Sequence, residues 1–282
     1  MRKREIQIYP PIEFADSIPA LYAPLKPYVT RVIPLMLEHV WFLKREKATP
    51  TFQELMYCGW LCRLITLDKR VLTTDQQNEI SGWPELRDEL VKYLDECGNE
   101  DQIALMLSSC MELITPILQK RFKDGYRFPE RDFYCWWYTI HENNTLMALH
   151  LVNAYQPESP FAHREHFVLT MSKAVEHAVS KYPSISRVTC GSWLNNLERF
   201  QNLWPESFRL NQKLLNDSGG FGPGAWGQYI TTEGGFNENK ASVLRRTGKH
   251  PFPLTESVSS IEEVTRHLKT AISGFASIES DE

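Results

Sequence analysis

Apolar residues recur at three- and four-residue steps through the first half of the chain and then give way to alternation. Val29, Val32, Ile33, Met36, Leu37 and Val40 trace one stripe, which predicts a helix, with Pro34 in its first turn or kinking it. Thr51-Phe52-Gln53-Glu54 has the form of a capping box: the Thr hydroxyl accepts from the amide of Glu54 and the Glu side chain reaches back. A second helix is therefore expected from there to about 67. A third should start near Pro84, with Leu86, Leu90, Val91 and Leu94 on one side. A fourth should cover about 101–122 through Ile103, Met106, Leu107, Cys110, Ile114, Ile117 and Leu118, its continuity threatened by Pro116. Four amphipathic helices in succession predict a bundle.

The pattern changes at Tyr134. Tyr134 to Ile140 is aromatic and β-branched, His141-Glu142-Asn143-Asn144 is turn chemistry, and Thr145 to Tyr155 is a second extended run, so the three predict a hairpin. Residues 166–182 return to helical spacing, and Ser186 to Cys190 is another short strand. A helix between two strands predicts a partly parallel sheet. Residues 216–239 are loop-rich, with Trp226 to Ile230 as a strand between glycine clusters. A last helix should begin at a Ser259 or Ser260 cap backed by Glu262 or Glu263, burying Ile261, Val264, Leu268 and Ile272. Prolines 10, 11, 19, 24 and 27 make the start an extended arm, in which Glu5 to Tyr9 alternates as a short strand. The expected fold class is α+β, a helical N-terminal bundle followed by a mixed-sheet domain. The expected segments are a proline-rich arm at 1–28, a helical domain at 29–128, a mixed-sheet domain at 129–275 and a frayed tail at 276–282.

Composition narrows the classes. Of the 282 residues, 42% are hydrophobic and 23% charged, enough apolar material for a packed core. The net charge of −4 is spread with mixed signs, which argues against a nucleic-acid footprint. No run of about 18 apolar residues predicts a membrane span. The basic start Met1-Arg2-Lys3-Arg4 is not followed by the apolar stretch of a secretory signal. A cytoplasmic protein acting on a small molecule is expected, with no nucleic-acid or membrane partner; the oligomeric state stays open. Cysteines 58, 62, 97, 110, 135 and 190 include no CxxC pair and read as reduced, buried thiols.

Several residues could carry chemistry. His163 and His166 are three apart, and with His141, Glu142 and His150 they allow a His-dependent metal enzyme; without an HExxH-type signature, no metal is expected. His150 shares a strand face with Ala148 and Val152, where an imidazole, with an unperturbed pKa of about 6.5, serves as a general base or as a satisfied structural group. Gly219 to Gly224 does not link a strand to a helix in a phosphate-binding pattern and reads as a mobile loop. Cys190-Gly191-Ser192 ends a strand without the GxSxG of a nucleophile elbow; Ser192, if exposed there, is the better polar candidate.

Cys190-Gly191-Ser192-Trp193-Leu194, then Leu197, Phe200 and Leu203-Trp204-Pro205-Glu206-Ser207-Phe208, resemble the C-terminal domain of GNAT-like acyltransferases that carry a helical N-terminal domain. The order of neighbours is also similar: helices, a hairpin ending in Leu149-His150-Leu151, a helix, the Ser-Trp-Leu strand, then Pro253 to Ser257 leading into Val264 to Leu268. The similarity covers about residues 133–272. It implies a GNAT-like sheet, an acyl-CoA or acyl-carrier thioester as donor, and direct transfer to an amine. On this resemblance His150 or Glu142 is the base, Cys190 and Ser192 lie nearest the chemistry, and Ser192 gives a proton to the leaving thiolate. Trp193, Trp226 and Tyr229 would be pocket walls. The Arg-x-x-Gly-x-Gly or Ala loop of these enzymes is missing at the strand-to-helix junction, and 211–250 is a long insertion. A non-catalytic binding or scaffold protein on the same fold is therefore the competing expectation.

Overall fold

The computed structural model describes residues 26–46, 62, 78–123, 133–215 and 223–278. The fold is mixed α+β, with helices in the N-terminal part and a five-stranded sheet in the C-terminal part. The chain forms two compact units: Met1–Pro129 with Phe221–Pro251, and Glu130–Gly220 with Phe252–Glu282. The expected strand at 5–9, the helix at 51–67 apart from Cys62, which is helical and buried, and the glycine run before Pro223 lie outside the described residues.

In the first unit, a π-helical turn at Tyr28–Val32 leads into α1, Ile33–Arg45. Pro34 stands in the first turn of α1, where the helical backbone passes directly from the π-helical turn and the Ile33 amide donates to the Tyr28 carbonyl. α1 is buried on nearly every side from Ile33 to Phe42, including Glu38 and His39. α2, Trp83–Glu96, opens after Gly82, whose φ of 81° suits glycine, and buries Trp83, Leu86, Leu90 and Leu94. α3, Ile103–Lys123, runs through Pro116 and buries Ile103, Met106, Leu107, Cys110, Ile114 and Leu118. Glu100–Lys120 is long and apolar enough to cross a membrane by length and composition; its apolar stripe packs against α1 and α2, and 39% of its apolar stretch is buried.

The second unit holds the sheet, in the order β1-β2-β3-β5-β4. β1, Trp136–His141, and β2, Leu146–Leu151, form the predicted hairpin. Its turn puts Glu142, Asn143 and Asn144 at φ 52°, 54° and 68°. The asparagines suit that left-handed geometry, and the Thr145 hydroxyl donates to the Glu142 carbonyl at 2.8 Å to close the turn. α4, Arg164–Lys181, carries the chain back to β3, Arg187–Ser192, which pairs parallel to β2. Short helices α5, Glu198–Gln201, and α6, Glu206–Leu210, precede the edge strand β4, Lys213–Leu214. The chain then returns to the first unit for α7, Pro223–Trp226, and α8, Glu238–Thr247. It comes back as β5, Thr255–Ser260, antiparallel to β3 and β4, and ends in α9, Ile261–Ile278. One sheet face, with Met147, Leu149, Val188 and Cys190, is buried with Phe167, Met171 and Val175 of α4 and Val264 and Leu268 of α9.

Three expectations change. Phe221–Pro251 groups with the N-terminal helices and not with the sheet, so 129–275 is not one continuous domain. Trp226 to Ile230 is helical, α7 running into a 3₁₀ turn at Gly227–Tyr229; Ile230 alone makes an isolated bridge, to Phe236. Thr255 to Ser260, expected to lead into the last helix, is a full strand whose inward positions are Thr255, Ser257 and Ser259. The cap itself is as expected: the Glu263 amide donates to Ser260 Oγ at 3.2 Å, and that hydroxyl donates to the Glu263 carboxylate at 3.0 Å.

Candidate functional site

The sheet face opposite α4 and α9 carries Thr139, His141, His150, Arg187, Thr189 and Glu256. Strand alternation and the pairing register set its rows. His141 faces Leu146, which faces Arg187; Thr139 faces Ala148, which faces Thr189. Trp137 faces His150, while Gly191 faces Glu256 and Lys213 on the far side. The parallel ladder between β2 and β3 ends at Ala148–Thr189, so His150 and Gly191 are not paired and the two strands fork there.

His150 stands at the mouth of that fork. Its ring stacks on Trp137 at 5.3 Å with the planes 26° apart. Its Nε2 lies 2.9 Å from Thr139 Oγ1, and the same hydroxyl is 2.8 Å from His141 Nε2. Glu142, in the hairpin turn, bonds to Arg187 at the start of β3. The Thr189 hydroxyl lies 2.9 Å from Glu256 Oε1 and 3.0 Å from the Ser257 carbonyl. Gly191 leaves room for Leu215, whose Cδ1 would sit 3.3 Å from an added Cβ.

Ser192 and Cys190 point to the other face. Cys190 is 1% exposed, and burial, with the Glu256 charge second, pushes its thiol up to about 12. A thiol held protonated in this way is a core group and a poor nucleophile. The Ser192 hydroxyl accepts from the Leu194 amide at 3.1 Å and so caps the turn Trp193–Asn196. Asn195, buried beside it, donates to the carbonyls of Cys190 and Thr255, both at 2.9 Å, and ties the ends of β3 and β5 together. Trp193 stacks on Phe252 at 5.7 Å. The fork thus joins His150 with Trp137, Thr139 and His141 on one side and a hydrogen-bonded turn on the other.

His163 and His166 belong to another cluster, at the start of α4. His163 bonds to Glu158 and stacks on Tyr155 at 4.5 Å, and His166 Nδ1 lies 2.6 Å from the Tyr155 hydroxyl. Among the described residues, no group of three or more His, Cys, Asp or Glu is placed to hold a metal ion. The five described cysteines, Cys62, Cys97, Cys110, Cys135 and Cys190, are buried.

Trp226 and Tyr229 belong to the first unit, where they meet residues that sequence reasoning missed. The Tyr229 hydroxyl bonds to His250 Nδ1 at 2.7 Å, and the Trp226 ring meets His250 edge-on at 4.9 Å. His39 lies 6.0 Å from His250 between ring centres. Beside it, Arg245 Nε donates to both oxygens of Glu38, at 3.1 and 2.9 Å, and its Nη1 reaches Glu238 at 3.3 Å. Burial drives His39 down to about 3, helped by His250, and drives His250 down to about 4. Burial also raises the Tyr229 phenol, so every ring in this cluster is neutral near pH 7. The sequence signal was Glu38-His39 inside an otherwise apolar helix: a charge there demands a buried partner.

No family model, curated protein or solved structure matches this chain.

Proposed function

We propose that the sheet unit is an acyltransferase, moving an acyl group from a thioester donor, acyl-CoA or an acyl-carrier thioester, to the amine of a small molecule. The single observation that carries this reading is the fork between β2 and β3 with His150 at its mouth. Backbone N–H groups released from a strand ladder are donors for a thioester carbonyl, whose oxygen gains charge as the amine adds. The amine nitrogen attacks the carbonyl carbon, its proton goes to the His150 ring, and the C–S bond breaks to leave a thiolate that takes up a proton. Glu142 is a weaker base candidate, because Arg187 already pairs with it. Ser192 supports the fork as a cap, and Trp137 supplies an apolar wall.

The test is binding followed by turnover. A donor that binds only the folded chain raises its apparent stability by an amount that grows with concentration. Acetyl-CoA should raise the melting temperature, and Gly191→Val, which presses a side chain against Leu215, should abolish that rise. Failure of both acetyl-CoA and longer acyl-CoA thioesters to shift the melting temperature would remove the donor.

A non-catalytic binding module is the second reading. It is favoured by the segment between Leu151 and Arg164, which has no Arg-x-x-Gly-x-Gly or Ala loop for a pyrophosphate. Acyl-CoA binding without thiol release in the presence of amines would select it.

A further inference from the structure

We infer that Thr139 and His141 form a proton relay that carries a proton from His150 to solvent. The inference rests on the acyl-transfer reading for its catalytic meaning, but its physical content is separate. A hydroxyl has one proton. With His150 Nε2 at 2.9 Å and His141 Nε2 at 2.8 Å, Thr139 Oγ1 can donate to only one imidazole and must accept from the other. One Nε2 therefore bears hydrogen and the other does not, and the two tautomers are linked through a single oxygen.

The strand register builds this arrangement. Thr139 and His141 are two residues apart on β1 and share a face, while His150 is the diagonal neighbour of Thr139 on β2. Directly opposite Thr139 stands Ala148, whose methyl leaves space for both rings. The ends of the chain differ in environment: His150 is half-buried against Trp137, and His141 is exposed. The charged groups on the same face are accounted for. Arg187 pairs with Glu142, and Glu256 bonds to Thr189 with Lys213 in register across from it. Behind the sheet, the Tyr138 hydroxyl bonds to His177 of α4.

His150 takes the amine proton at Nδ1 and releases the hydrogen on Nε2 to Thr139 Oγ1. The hydroxyl hydrogen of Thr139 passes to His141 Nε2. His150 ends neutral in the opposite tautomer, Thr139 is unchanged, and His141 carries the positive charge, which it loses to water. Thr139 and His141 are positioning and relay residues; only His150 touches the acceptor.

The experiment is nitrogen-15 NMR of the histidine rings in the full chain, compared with Thr139→Val, Thr139→Ser and His141→Gln. The inference expects complementary Nε2 tautomers for His141 and His150 in the wild type and a coupled, two-step titration of the pair. Thr139→Val should give two independent titrations, and Thr139→Ser should restore the coupling. With acetyl-CoA and a panel of small amines, Thr139→Val and His141→Gln should lower kcat roughly 100-fold, the low end of general acid–base contributions, and leave KM unchanged. Independent titration of the two rings in the wild type overturns the relay. Coupled rings without thiol release from acetyl-CoA keep the relay and reject acyl transfer. Thiol release that Thr139→Val leaves unchanged in rate and pH profile keeps acyl transfer and rejects the relay.

Discussion

Two of the molecule's histidine pairs are built on opposite principles. His141 and His150 lie on an open sheet face and meet through the hydroxyl of Thr139. His39 and His250 lie in the helical unit, 4% and 8% exposed, among Trp226, Tyr229 and the Glu38–Arg245 ion pair. The first pair reaches water through the exposed His141; the second is held neutral by burial. The same side chain thus marks a chemical site in one unit and a packing solution in the other, and the difference is set by neighbours and solvent, not by residue type.

Breaking the buried cluster should give the largest change. Arg245→Ala leaves Glu38, 6% exposed at its side chain, without its main counter-charge. A loss of about 3–5 kcal/mol is expected on urea unfolding, typical of a buried pair cut on one side. A loss below about 1 kcal/mol would mean that the site opens to water.

Acid should act next. The unfolded chain binds protons at its histidines from about pH 6.5 downward, while folded His39 and His250 stay neutral until about 3 and about 4. Stability is therefore full above pH 7 and falls as pH drops through that window, by about 2 kcal/mol per imidazole at pH 5. His39→Gln and His250→Gln should each flatten the slope of stability against pH. An unchanged slope in both variants would assign the acid sensitivity elsewhere.

Smaller effects sharpen the sheet side of the comparison. Ser192→Ala removes the cap on Leu194 and should cost about 1 kcal/mol in thermal unfolding. Cys190 should resist a thiol reagent in the native state and react only on unfolding, since its thiol is buried and protonated. Rapid native labelling of Cys190 would place it at an accessible edge.

Legibility followed the chemistry of burial. The stripes of α2, α3 and α4 and the hairpin of β1 and β2 could be read because apolar side chains mark their inward faces. β5 could not, because its inward residues are Thr255, Ser257 and Ser259; Gln212 donates to Thr255, and Ser259 shares bonds with Ser207 and Glu263. The aromatic run at Trp226 to Ile230 suggested a strand, but glycines at 224 and 227 left no strong local preference, and the run packs as a helical turn in the apolar core of the first unit. His39 and His250 are paired by tertiary packing alone, across most of the chain, and no periodicity links them. His150 was legible as a strand residue; the hydroxyl that joins it to His141 depends on register, which a single strand does not reveal.

The most direct measurement is thiol release from acetyl-CoA by the wild type and by His150→Ala, each with a panel of small amines and each with its melting temperature. The account predicts turnover that falls at least about 100-fold in the variant while the melting temperature holds. Equal turnover in the two proteins would contradict it.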